Sequence, residues 1–196
     1  VQIVLPDTSD SEIFPKEALP LEKFFSRFAI ASLPTNSEKT RKGLPLDPKT
    51  FDKFIGHPNL KDFHAEIPGV INWETGVTYY YGETLLKTAN LYVLTIGWLD
   101  NETSMNGTMI ATFRTTGELV DIQPVDFDFT LTKGKFTYWW METFTLNAKL
   151  KGNLYRMYNQ YSTKIVNKRT EIDSIYKEKN DTLQLSVFSN GKIIVQ

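Results

Sequence analysis

From Val70 onward the apolar positions recur with a period close to two. Val77 to Tyr81, Leu91 to Trp98, Thr108 to Arg114, Glu118 to Gln123, Phe127 to Thr132, Phe136 to Asn147, Leu154 to Ile165, Leu183 to Phe188 and Ile193 to Val195 each read as a strand. Turn chemistry falls between most of them, at Asn106-Gly107, Thr116-Gly117, Lys133-Gly134, Lys151-Gly152 and Asn190-Gly191. Glycine supplies the positive φ that tight hairpins need, so the pattern predicts successive antiparallel hairpins, a meander or a sandwich, and not a parallel α/β sheet.

The period changes near the N-terminus. Leu21, Phe24, Phe25 and Phe28 fall at i, i+3, i+4 and i+7, one face of a helix expected over Pro20 to Ser32 and stopped by Pro34. Asp47-Pro48 has the form of an N-cap followed by proline at the first helical position, with Phe51, Phe54 and Ile55 as the apolar face and Gly56 as the end. Residues 1–15, with Pro6, Asp7, Asp10 and Glu12, have the composition of a tail; His57 to Gly69, with two prolines, reads as irregular. The fold class expected is therefore α+β, predominantly antiparallel β, with one or two N-terminal helices packed on the sheet. Residues 16–196 form one domain in this reading.

The clearest strand, Phe136 to Asn147, sets up the main expectation about surfaces. Its even positions are apolar except Glu142, whereas its odd positions are polar at both ends and carry Trp139 and Met141 in the middle. Trp139 and Met141 are the candidate binding residues, because exposed aromatics on a sheet present a large apolar area at low entropic cost. The leading expectation, however, is that the Leu21, Phe24, Phe25, Phe28 stripe covers this face, making it a second core layer and leaving any binding site to the loops.

Composition narrows the classes. With 41% hydrophobic and 23% charged residues the chain is an ordinary globular one and need not be disordered. Net charge is −1 and no basic block stands out, so nucleic acid is not an expected partner. No apolar run approaches the ~20 residues of a membrane-spanning helix. Zero cysteines exclude disulfides, thiol nucleophiles and cysteine-ligated zinc. The sequence opens at Val1, which points to a leader or an upstream segment; a removed signal peptide and an arbitrary boundary account for it equally well.

Candidate chemistry is sparse. His57, His64 and Glu66 make a conceivable metal set, but their spacing fits no zinc pattern, and no metal or cofactor is expected. Asp121, Asp126 and Asp128 lie close in sequence, as paired acid and base groups would, but equally as a solvated strand edge. Glu142 is the candidate catalytic residue: alternation puts its carboxylate on an apolar face, where it would be held near neutral or paired with Arg114 or Arg156. No serine-hydrolase elbow, Walker loop or dinucleotide fingerprint is present.

The segment Gly107-Thr-Met-Ile-Ala-Thr-Phe-Arg-Thr-Thr-Gly-Glu-Leu-Val-Asp-Ile and the closing Val187-Phe-Ser-Asn-Gly-Lys-Ile-Ile resemble strand-turn-strand units of exported proteins of unknown function from Bacteroidetes-type bacteria. The resemblance covers about a fifth of the chain and rests on turn and strand chemistry that many β proteins share. It implies a cleaved signal or lipoprotein anchor and a periplasmic or cell-surface location, and it brings no catalytic residues. The leading expectation is an exported, non-catalytic cell-envelope domain that binds or scaffolds a protein or glycan. The alternatives are a glycan-acting hydrolase using Glu142 with Asp121, Asp126 or Asp128, and an inhibitor or immunity protein that binds through its sheet.

Overall fold

The computed structural model describes residues 17–39, 43–56, 76–101, 105–133, 136–166 and 169–196. The expected tail at 1–15 and the segment His57 to Gly69 lie outside them. The fold class is as expected: two short helices and a large, mostly antiparallel sheet. In chain order the elements are α1 (Leu21–Ser26), β1 (Ala29–Ile30), β2 (Thr35–Asn36), a short 3-10 turn (Ser37–Lys39), α2 (Pro48–Phe54), β3 (Val77–Lys87), β4 (Leu91–Asp100), β5 (Asn106–Arg114), β6 (Leu119–Lys133), β7 (Phe136–Leu146), β8 (Lys151–Val166), β9 (Arg169–Val187) and β10 (Ile193–Val195). Strands β3 to β10 lie side by side in sequence order. β1 pairs parallel to β3 at one edge, and β2 pairs with β7.

The second helix forms as its sequence dictates: Asp47 Oδ1 accepts from Thr50 N at 2.9 Å and Pro48 occupies the first turn. The first is shorter than its stripe implied. It ends at Ser26, with Arg27 as C-cap, and Ala29 and Ile30 leave it to pair with Glu83 and Thr84 of β3. Tertiary pairing thus overrides a weak local preference at a β-branched residue.

Strands β4 and β5 are buried on both faces, which is why Leu91 to Leu99 reads as a nearly unbroken apolar run. Alternation sends Leu94, Ile96 and Trp98 into one core and Leu91 and Val93 into another. The first core gathers α1, α2 and β3–β5. Phe24 is fully buried, stacked on Phe54 at 4.5 Å and set edge-on to Phe113, while Phe25 stacks on Tyr92 at 4.0 Å. The second core lies on the other face, where Val93 and Ile110 meet Phe144, Leu146, Leu154, Leu185 and Val187.

Several local expectations are corrected. Glu118 to Gln123 and Phe127 to Thr132 are one strand, β6, carrying register irregularities on either side of Pro124; a proline is tolerated where a bulge interrupts the ladder. Asn106-Gly107 is not a turn but the start of β5: a Cβ at Gly107 would run into the Asp126 carbonyl and the Trp98 ring, so the glycine serves close approach. Lys151-Gly152 likewise opens β8, and the turn is made before it, with Leu150 at φ 55°. The hairpin joining β5 and β6 is as expected, with Gly117 at φ 92° and its N–H bonded to the Arg114 carbonyl. The charged stretch 169–182, read as no strand, is most of β9.

Candidate functional site

The aromatic stripe of α1 does not cover Trp139. Phe24, Phe25 and Phe28 pack on Tyr81, Tyr92 and Phe113 of β3–β5, so the odd face of β7 is left for other uses. The stripe required an apolar sheet face, and β4 offers one that alternation could not reveal because both of its faces are apolar.

Beyond the two cores, the far parts of β6–β9 run on as a four-stranded extension, with register that fixes what shares each face. On one face Trp139 lies between Thr130 and Asn159, and Met141 lies between Asp128 and Met157. Trp139 and Met141 are half-buried. The indole N–H of Trp139 donates to Asp128 Oδ1 at 2.7 Å, which fixes the ring on the sheet surface. Asn159 Oδ1, on the same face, is buried without a hydrogen-bond partner. Met157 and Asn159 were not singled out from sequence. Pairing the Phe136 and Leu154 strands about their shared hairpin would have found them, because cross-strand neighbours share a face.

The opposite face carries Glu142. It is fully buried and sits across β7–β8 from Arg156, whose Nε donates to Glu142 Oε1 at 2.5 Å; Oε2 has no partner. Of the two bases considered from sequence, Arg156 is therefore the partner, while Arg114 pairs with Glu118 at 3.1 Å. Burial raises the Glu142 pKa from 4.5 to about 7; the charge and hydrogen bond of Arg156 pull it down, and the charge of Asp126 pushes it up. Desolvation outweighs the ion pair, so this carboxyl keeps its proton to higher pH than an exposed glutamate does.

Of the other carboxylates, Asp128 pairs across from Met141 on the Trp139 face, whereas Asp126 lies near enough for its charge to raise the Glu142 pKa. Asp121 is remote: its Oδ2 accepts from Ile193 N at 3.0 Å and its Oδ1 from Ile122 N at 3.0 Å, fastening β10 to β6. Among the described residues no three His, Asp or Glu side chains cluster as a metal site, and His57, His64 and Glu66 lie outside them. No helix among the described residues is long and apolar enough to cross a membrane. Comparison with family models, curated proteins and solved structures returns no match, so any reading of the site rests on the geometry above.

Proposed function

We propose that this protein is an exported, non-catalytic domain of the cell envelope that binds or scaffolds a protein or glycan, and that its ligand surface is the Trp139 face of β7–β8. The observation that supports it is the fixed indole: Trp139 is half-buried, held by Asp128, and bordered by Met141, Met157 and Asn159. An aromatic already locked in place gives up little entropy on contact, and neighbouring methionines adapt to irregular apolar groups. Asn159 Oδ1, buried without a partner, adds an unmet acceptor beside them. The export and envelope parts of the reading rest on the resemblance of the Gly107 to Ile122 and Val187 to Ile194 units.

The test pairs exposure with binding. In a variant that keeps Trp139 as its single tryptophan, iodide should quench the fluorescence of the folded protein. In methyl-labelled protein, the Met141 and Met157 signals should shift when envelope glycans or envelope protein fractions are titrated in. Binding that persists undiminished in Trp139→Ala/Met141→Ala would move the ligand surface elsewhere.

A further inference from the structure

Among the described residues β9 is the longest strand, and most of one side of it has no pairing strand. It pairs with β8 along its whole length. On its other side β10 reaches only Leu185 to Val187, with Gln196 bonded to Gln184. Among the described residues nothing pairs with the outer side from Arg169 to Leu183. Ile172, Ile175 and Tyr176 stand along it 58%, 60% and 52% exposed. The backbone groups of so long an open edge are a template for another strand.

The order of charges along this edge identifies what fits it. Laid antiparallel against itself about Ile175, the sequence places Asp173 opposite Lys177 and Ile175 opposite its own copy. Ile172 then meets Glu178, whose methylenes can lie along it. Edges are guarded by proline, by charge or by bulges. This one has no proline from Arg169 to Leu183, and Asp173 and Lys177, either side of Ile175, are opposite in sign, so in this register they attract a copy. The register also respects the lane: a copy of β9 centred on Ile175 puts its Arg169 beside Asp181, short of Gln184, where β10 begins to occupy the edge.

We infer that two copies of this chain associate through β9, edge to edge and antiparallel about Ile175, to form one sheet continuous across a two-fold axis. Such an interface is isologous, each charge pair occurring twice, and its cross-strand pairs are of the kind that stabilises sheets. The irregularities of β9 near Asp173 and Tyr176 relative to β8 would give the joined edges a pronounced local twist. The intrachain pair Lys164–Asp173, both side chains partly exposed, would exchange partners on association. None of this depends on the ligand surface proposed above.

Sedimentation analysis of the intact chain at low and high salt is the direct test. A dimer that weakens with salt is expected, since the pairing is partly ionic. Lys177→Glu should give monomers by setting like charges against Asp173, and Asp173→Lys/Lys177→Glu, which inverts both signs, should restore the dimer. The chain has no cysteine, so Ile175→Cys reports alone: antiparallel neighbours have Cα atoms about 4.5–5.5 Å apart, within disulfide reach. Oxidation should cross-link Ile175→Cys quickly and Asn180→Cys, five residues off the axis, slowly. A wild-type monomer at low salt would overturn the inference. So would a dimer indifferent to Lys177→Glu, or equal cross-linking at both positions.

Discussion

The two ends of the sheet solve opposite problems with the same strands. Around β4 and β5 both faces are closed, by helices on one side and by the near halves of β7–β9 on the other, and the side chains are almost all apolar. In the extension of β6–β9 burial is patchier, with Thr137, Trp140 and Ser162 buried among more exposed neighbours. Trp139, Met141, Tyr138 and Tyr158 are half-buried, and Ile172, Ile175 and Tyr176 are exposed. Stability is therefore concentrated where cover is double, and surface chemistry where it is not. Glu142 sits at the junction. Its ladder to β6 ends at Phe127, and two residues on, Phe144 belongs to the second core and gives its N–H to Ser37 Oγ at 2.9 Å.

The sharpest way to break this contrast is in the first core. Phe24→Ala removes a fully buried ring that touches Phe54, Phe113 and Tyr81, and should cost about 3–5 kcal/mol in chemical denaturation. A loss below about 1 kcal/mol would mean that the helices contribute little to the fold.

At the junction, the effect depends on pH. Because the folded-state pKa of Glu142 is raised from 4.5 to about 7, the native state keeps a proton that the unfolded chain has released across that interval. Stability should be fully favoured below pH 4.5 and fall by about 3 kcal/mol as pH rises through 7, then level off. Glu142→Gln should remove that part of the slope and be at least as stable as the parent at pH 8. An unchanged slope in the variant would assign the titration to another group.

Gly117→Val tests the β5–β6 hairpin. The substitution forces a β-branched residue to φ 92° and drives its Cβ to 2.6 Å from the Leu21 side chain, so a loss of ~1 kcal/mol or more is expected in thermal melts. Smallest of all should be Ile175→Lys in the extension, within about 0.5 kcal/mol of the parent when measured on dilute protein, where the exposed side chain has little to lose. A large loss there would show the extension to be part of the cooperative core.

How much of this was legible in the sequence varies with the physics of each part. The α+β class, the α2 cap, the Gly117 hairpin and an inward Glu142 followed from period-two alternation, Asx capping and glycine at positive φ, all of which act over a few residues. The destination of the α1 stripe did not. Its choice between β7 and β3–β5 depends on packing among residues far apart in sequence, which no local pattern encodes. Gly107 and Gly152 were misread as turns because close backbone approach and positive φ both select glycine. β9 was missed because its N-terminal half is charged, as an edge strand with water on both faces can be. The separation of Glu142 from Asp128 needed the β6–β7 register, and a one-residue slip would have reversed it.

The Asp121 clasp on Ile193 has a temporal consequence. The buried members of the first core come from residues 24–140, whereas the second core draws Leu185 and Val187 from the end of β9 and is completed by Ile193 and Val195 on β10. That last strand is held to β6 by the Asp121 carboxylate and to β5 by Thr112 Oγ1 donating to the Gly191 carbonyl at 2.6 Å. A chain made from its N-terminus therefore has every buried member of the first core in hand before Leu185 and Val187 are added. Until the β9–β10 hairpin arrives, the apolar face of β4 and β5 that carries Val93 and Ile110 lacks part of its cover.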